Sequence, residues 1–249
     1  MSERDAQLRA LQELEQHVPP ALAERIVAAL GDDRTVLSAG ATLDGALAGR
    51  AVIALVPPGG AAAPDAEVAE TLAAEPWELP LGDDSVDAAI AVRAVHYWGE
   101  QREPGVRELR RVARNHVVIL TIDPAVNSEL WLFRDYLPQI AERNRTIFPP
   151  VAQLVDWLGG AVETVVVPAR KDAVDWSLSS SWAHPEAIRD AQQTIRASGM
   201  SSLDPAVIDR ALSSLERDLA DGRWDRRNGH LRALYEYDIG MRLLVSTPH

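Results

Sequence analysis

The residues best able to do chemistry lie in one short run, Arg93-Ala94-Val95-His96-Tyr97-Trp98, and in a single acid further on, Asp123. An imidazole exchanges a proton near neutral pH, so His96 can act as general acid or base. Asp123 can orient that imidazole or a substrate amine. Arg93 can hold a carboxylate through two parallel hydrogen bonds, and Tyr97 adds a hydroxyl. His96, Asp123, Tyr97 and Arg93 form the candidate catalytic set. Each has a plainer reading beside it. His96 can be a histidine at a helix start, satisfied by backbone, and Asp123 can cap the helix after Pro124. Arg93 can partner Asp87 or Glu103, and Tyr97 can be a wall of the cavity.

Other chemistries are excluded. The chain has no cysteine, which removes disulfides, thiolate metal sites and cysteine nucleophiles. Its histidines are His17, His96, His116, His184, His230 and His249, and none pair at i, i+4, so no metal is expected. Serines cluster at Ser177–Ser181 without a G-x-S-x-G elbow. A net charge of −12 argues against nucleic acid, which is bound by neutralising phosphates with Lys and Arg. No apolar run approaches the roughly 18 residues of a membrane span, and the charged start Met-Ser-Glu-Arg-Asp-Ala lacks a signal core, so a cytoplasmic protein is expected.

The elements that must position the candidates begin at Thr35–Ala39, a β-rich run that meets Gly40. A brief helical stretch around Asp44–Ala48, closed by Gly49, leads to a second apolar run, Ala51–Leu55. Strand, glycine turn, helix and strand open a parallel α/β sheet. Helices at 4–17 (Leu8, Leu11, Leu14) and Ala21–Leu30 precede it. Pro57–Pro64 is too rich in Pro and Gly for a helix, and a third strand is expected within Val68–Ala73. Ala88–Val92 is a short buried strand, and His116–Ile122 is another. Ligands of doubly wound sheets sit beyond the carboxyl ends of strands, so 93–98 and Asp123 face the cavity, whereas His116 lies at the wrong end. Between them, Glu103–Arg114 reads as a crossover helix with Val106, Leu109 and Val112 inward. Helices follow at Ser128–Tyr136, Pro138–Arg145 and Val151–Leu158. A strand at Val162–Val167, a cap-like segment Ala169–Asp221 and a last strand ending Tyr235–Val245 complete the chain. Within the cap, Asp204 caps a helix through Leu219.

Several stretches resemble the class I S-adenosylmethionine-dependent methyltransferases of the bacterial small-molecule type. Val36-Leu37-Ser38-Ala39-Gly40-Ala41-Thr42-Leu43-Asp44 stands where that family reads roughly V-L-D-x-G-x-G-x-G. Gly82-Asp83-Asp84-Ser85-Val86-Asp87 matches its D-x-S-F-D turn, and Val95–Trp98 its V-H-H-W segment. The resemblance implies a doubly wound, seven-stranded, mostly parallel sheet, its last strand antiparallel, with helical cap insertions. It also implies one domain over 1–249: N-terminal helices at 1–30, a nucleotide-site half at 31–124, caps at 125–158 and 169–221, and a terminal strand region at 222–249. By the same resemblance the cofactor positions are Ser38, Gly40, Val56, Glu75, Pro76 and Trp77. Ser38 and Val56 replace family acids, and Thr42 and Leu43 bring bulk where backbone should approach the ligand. Losing the ribose hydrogen bonds would cost about 1–3 kcal/mol, and each further 1.4 kcal/mol is roughly tenfold in affinity. S-adenosylmethionine is therefore expected to bind weakly or not at all.

Trp98, Trp131, Tyr136, Trp182 and Tyr235 are candidates for a substrate pocket, with core packing as the plainer reading. Three readings follow. The fold serves acid/base chemistry on a small organic substrate, such as cyclisation, isomerisation or elimination; or a divergent methyltransferase persists; or a non-catalytic homologue binds a ligand or partner. The expected partner is a small molecule, with neither nucleic acid nor membrane, and a homodimer is compatible with each.

Overall fold

A run such as Val86–Val92, buried everywhere except Asp87, needs strands on both sides and apolar layers on both faces. The computed structural model describes residues 18–43, 45–59, 68–172, 178–190 and 203–247. The strands are β1 (Thr35–Gly40), β2 (Ala51–Val56), β3 (Val68–Ala73), β4 (Val86–Val92), β5 (Ala113–Ile122), β6 (Ala161–Val166), β7 (Ala169–Arg170), β8 (Glu236–Tyr237) and β9 (Met241–Thr247). The longer helices are α1 (Pro20–Ala29), α2 (Arg102–Val112), α3 (Pro138–Ile147), α4 (Val151–Leu158), α5 (Pro205–Ala220) and α6 (Arg223–Asn228). The expected helix at 4–17, Asp44 and Trp176 lie outside the described residues.

Two compact units are distinguished. The first comprises Gln16–Asp123, Ile147–Val167 and Met241–His249. Its seven-stranded sheet has the order β3-β2-β1-β4-β5-β9-β6. Strands β1 to β5 run parallel, and β9 lies antiparallel between β5 and β6. This is the doubly wound, mostly parallel architecture expected from the chain. Alternation divides the side chains: Leu37, Ala89, Val117 and Ile119 pack beneath α2 and α4, while Val36, Val52, Ile90 and Val118 pack against α1.

One local expectation is corrected. Residues 45–50 form turns, not a helix. Ala46 N–H donates to Leu43 O at 3.0 Å, Ala48 N–H to Gly45 O at 3.2 Å, and Arg50 N–H to Leu47 O at 3.0 Å. Gly45 and Gly49 both take positive φ, +84° and +82°, which interrupts helical continuity. Leu43 and Leu47 are buried in the same layer as α1 and cover that face themselves.

The amino-terminal edge of the sheet is tied by Asp87. Its Oδ2 accepts the N–H groups of Arg34 (3.0 Å) and Thr35 (2.9 Å), and its Oδ1 accepts from Arg114 Nη1 at 2.9 Å. The Thr35 amide, then that of Arg34, and the Arg114 charge hold this carboxyl below its ordinary value of 3.8. A lowered folded value means the stabilisation is present above pH 3.8 and is lost as pH falls through the folded value. Asp87→Ala should lower the unfolding free energy near neutrality by about 1–3 kcal/mol. In urea titrations the gap to wild type should shrink below pH 3.8; a gap unchanged at strongly acid pH would remove the carboxylate from this role.

Arg111 of α2 clamps the loop before β4. Its guanidinium meets Glu108 Oε1 and Oε2, both at 2.7 Å, Asp83 Oδ1 at 2.8 Å and Leu81 O at 2.8 Å. Glu108 Oε2 also accepts Leu79 N–H at 3.1 Å. Residues 79–83 are thereby fastened to α2.

The second unit comprises Met1–Glu15, Pro124–Thr146 and Pro168–Gly240. Asn127, buried, donates to Ser179 Oγ (3.2 Å) and Ile239 O (2.9 Å), and its Oδ1 accepts from Asn144 at 2.9 Å. Asp204 caps α5 by accepting Ala206 N–H at 2.8 Å. A two-stranded antiparallel pair, β7 with β8, was not anticipated from the sequence.

Candidate active site

Parallel strands bring their carboxyl ends to one edge, so the segments after β1 to β5 share it, and strand order reverses between β1 and β4. Gly40, Val56, Glu75, Pro76, Trp77, Arg93, His96, Tyr97 and Asp123 all follow or end these strands. Ser38 does not reach the edge. It is paired in mid-strand with Ala54 and Ile90.

Gly40 takes φ +97°, and a Cβ there would lie 2.2 Å from Val92 O and 2.9 Å from Ala94 Cβ. Ala41 N–H donates to Val92 O at 3.0 Å. The backbone of β4 thus requires this glycine directly. Val56 is buried, with its carbonyl accepting Ala74 N–H at 3.0 Å. Glu75 and Pro76 are half-buried, and Trp77 packs against the layer beneath α2.

Beyond β4, Arg93 takes φ +51°, an uncommon left-handed conformation for a non-glycine residue, and donates its N–H to Leu120 O at 3.0 Å. Such backbone strain concentrates at functional sites. His96 follows on a 3₁₀ turn, Val95–Gln101. It is half-buried, its ring centroid 3.9 Å from that of Tyr97 and 4.4 Å from that of Phe148. Tyr97 is 75% exposed. Trp98 turns inward to the core, where Gly105 of α2 makes room: a Cβ there would sit 2.6 Å from the indole.

Asp123 ends β5, its Oδ2 3.7 Å from Arg242 Nη2. Arg242 is buried on β9 opposite Thr121 and donates through Nη1 to Met241 O at 3.0 Å. At 3.7 Å the contact is an ion pair rather than a hydrogen bond, but reduced solvent screening strengthens it. Sequence reasoning missed Arg242 and Phe148. A charge inside the apolar run Met241–Val245 was the available signal for the first. The second lay between two helices, next to Pro149-Pro150, and carried none.

Trp131, Tyr136, Trp182 and Tyr235 belong to the second unit. Trp131 Nε1 donates to Trp182 O at 2.8 Å, and its ring meets Trp224 (5.3 Å) and Tyr136 (5.9 Å) edge-on. Trp182 stacks on Tyr237 at 5.3 Å. Tyr136 donates its hydroxyl to Asp218 Oδ2 at 2.9 Å, and burial, followed by Asp218, pushes that phenol well above its ordinary range. Tyr235 is exposed, with the Arg170 guanidinium 5.0 Å from its ring centroid. A small cavity is lined by Leu130, Trp131, Leu132, Phe133, Ser179 and Trp182. The buried indole N–H groups of Trp182 and Trp224 have no hydrogen-bond partner among the described residues.

Among the described residues, no group of three or more acidic or histidine side chains is placed to hold a metal ion. No described helix is long and apolar enough to cross a membrane.

Residues 57–121 match the family described as a methyltransferase domain. A solved structure from Anabaena variabilis, described as a candidate methyltransferase from an antibiotic biosynthesis pathway, is 25% identical, with 94% of this chain and 99% of that chain covered at a TM-score of 0.76. The YcgJ protein of Bacillus subtilis is 13% identical over 92% of this chain and 99% of its own, with a TM-score of 0.51, a likeness of fold alone. No curated protein matches the chain in sequence.

Proposed function

We propose that this chain, whose residues 57–121 match a methyltransferase domain and whose fold resembles that of a methyltransferase, is an enzyme acting on a small organic substrate by acid/base chemistry, with S-adenosylmethionine bound weakly or not at all. His96 is the proton-transfer group. Asp123 with Arg242, Arg93 and Tyr97 shape the charge and hydrogen bonding around the substrate. The reaction class is cyclisation, isomerisation or elimination, each of which needs a proton moved between fixed positions.

One contrast along a single edge carries this reading. The turn after β1 is packed as core, whereas the segment after β4 keeps a half-buried imidazole. A cofactor of this kind needs an acceptor for its ribose hydroxyls and open backbone donors at the first turn. Val56 supplies an apolar, buried side chain instead. The N–H groups of Ala46, Ala48 and Arg50 are spent on nearby carbonyls. These residues suit the cofactor poorly.

A second reading, retained methyl transfer, is favoured by the likeness to the Anabaena protein. Calorimetric titration separates the two. With S-adenosylmethionine and with its demethylated product, the expected dissociation constant is about 1 mM or weaker. A low-micromolar value would establish the second reading in place of the first. Restoring Thr42→Gly together with Val56→Glu should tighten binding measurably.

A further inference from the structure

We propose that Phe148, pinned by Arg102, is a positioning residue that fixes the orientation of the His96 imidazole. The inference rests on the reading of His96 as the proton-transfer group and adds the part that reading lacks, a support for the ring.

A proton-transfer group must be held within about 0.5 Å and 10–20° of its productive geometry by packed neighbours. His96 lies on a 3₁₀ turn, which orders the backbone but not the two side-chain torsions. Tyr97, its immediate neighbour, is 75% exposed and offers little lateral confinement. Phe148 is different. It comes from the segment between α3 and α4, is half-buried, and sets its ring 4.4 Å from the imidazole at 37°. Phe148 thus supplies the more buried of the two ring contacts to the imidazole.

The Phe148 segment is itself tied down. Arg102, at the start of α2, donates through Nη1 to Ile147 O at 2.7 Å and through Nε to Gly99 O. Gly99 is the kink that ends the turn carrying His96. One guanidinium therefore fastens the turn carrying His96 and the backbone carrying Phe148 to each other. Its rigid fork serves two carbonyls at once, which the single ammonium of a lysine reproduces poorly. On the other side, Pro149 restricts the Phe148 backbone to extended conformations. Phe148 is thus constrained from both directions.

The test uses the full chain, isotopically labelled at histidine, and reads the His96 ring resonances by NMR, identified by their loss in His96→Gln. In the wild type these protons carry ring-current displacements from both neighbours. Phe148→Leu should abolish the Phe148 contribution, and Arg102→Lys should reduce it although Phe148 is still present. Phe148→Tyr should restore it. The resonances of His116, His184 and His230 should stay in place throughout, which excludes general unfolding. On substrate, Phe148→Leu should lower kcat about 10- to 100-fold with KM little changed, and Phe148→Tyr should recover most of the loss. An unchanged His96 spectrum in Phe148→Leu, or in Arg102→Lys, overturns the proposal. Near-wild-type turnover in His96→Gln, with the spectral changes intact, would instead remove the catalytic reading of His96 and leave the clamp standing.

Discussion

His96→Ala should lower turnover by about two to four orders of magnitude, the usual worth of general acid–base catalysis, with folding intact. The side chain is only half-buried, on a 3₁₀ turn beyond β4, so its removal should leave the core standing. His96→Gln is the sharper variant. A glutamine keeps hydrogen-bonding capacity but cannot shuttle a proton, so it should lose nearly as much activity as alanine. The rate should titrate with pH through one imidazole inflection in the wild type, and that inflection should disappear in both variants. Were His96 only a wall of the site, glutamine would be tolerated and the profile would stay flat. That outcome would move the proton-transfer role to Asp123 and Tyr97.

The largest effect on stability is expected from Gly40→Ala. At φ +97° a side chain is already strained, and its Cβ would meet a backbone oxygen, Val92 O, at 2.2 Å. Strain of this kind costs about 1–3 kcal/mol, and forced overpacking adds a similar amount. The unfolding free energy should therefore fall by about 2–6 kcal/mol in total. Gly49 is the control. It has φ +82° with nothing within 4 Å of an added Cβ, so Gly49→Ala should show the conformational cost alone, about 1–2 kcal/mol. The difference between the two variants in chemical denaturation measures the approach of β4. Equal losses would mean that the sheet relaxes around residue 40. The comparison also separates two meanings of a glycine in this motif, because β4 demands Gly40 whether or not a cofactor ever approaches.

Several features were legible in the sequence because their causes are local. A continuous apolar run located β2 nearly to the residue, β3 fell within its expected bounds, and the match of Gly82–Asp87 to a family turn placed Asp87 at the start of β4. Asp204 before Pro205 announced the start of α5. His116 was expected to open its strand, which begins earlier at Ala113; it still lies in the amino-terminal half, with its Nδ1 2.7 Å from Asp33 Oδ2, away from the edge that carries the candidates. Capping, periodicity and proline stiffness act over a few residues, so a single sequence carries them.

What the tertiary structure alone decided concerns residues far apart in the chain. Leu47 read as part of a helix and Leu43 as bulk in a cofactor loop, but the space beside α1 and the two positive-φ glycines made both of them core. Trp98 has the same side chain whether it lines a pocket or fills a core, and only the neighbouring Gly105 placed it in the core. Phe148 reaches His96, and Arg242 reaches Asp123, through pairings that no spacing announces. The sequence by itself determined the sheet and the edge at which chemistry is to be sought. Which side chains meet at that edge depended on long-range packing, because contact between distant residues is set by how the layers close and not by the periodicity of either segment.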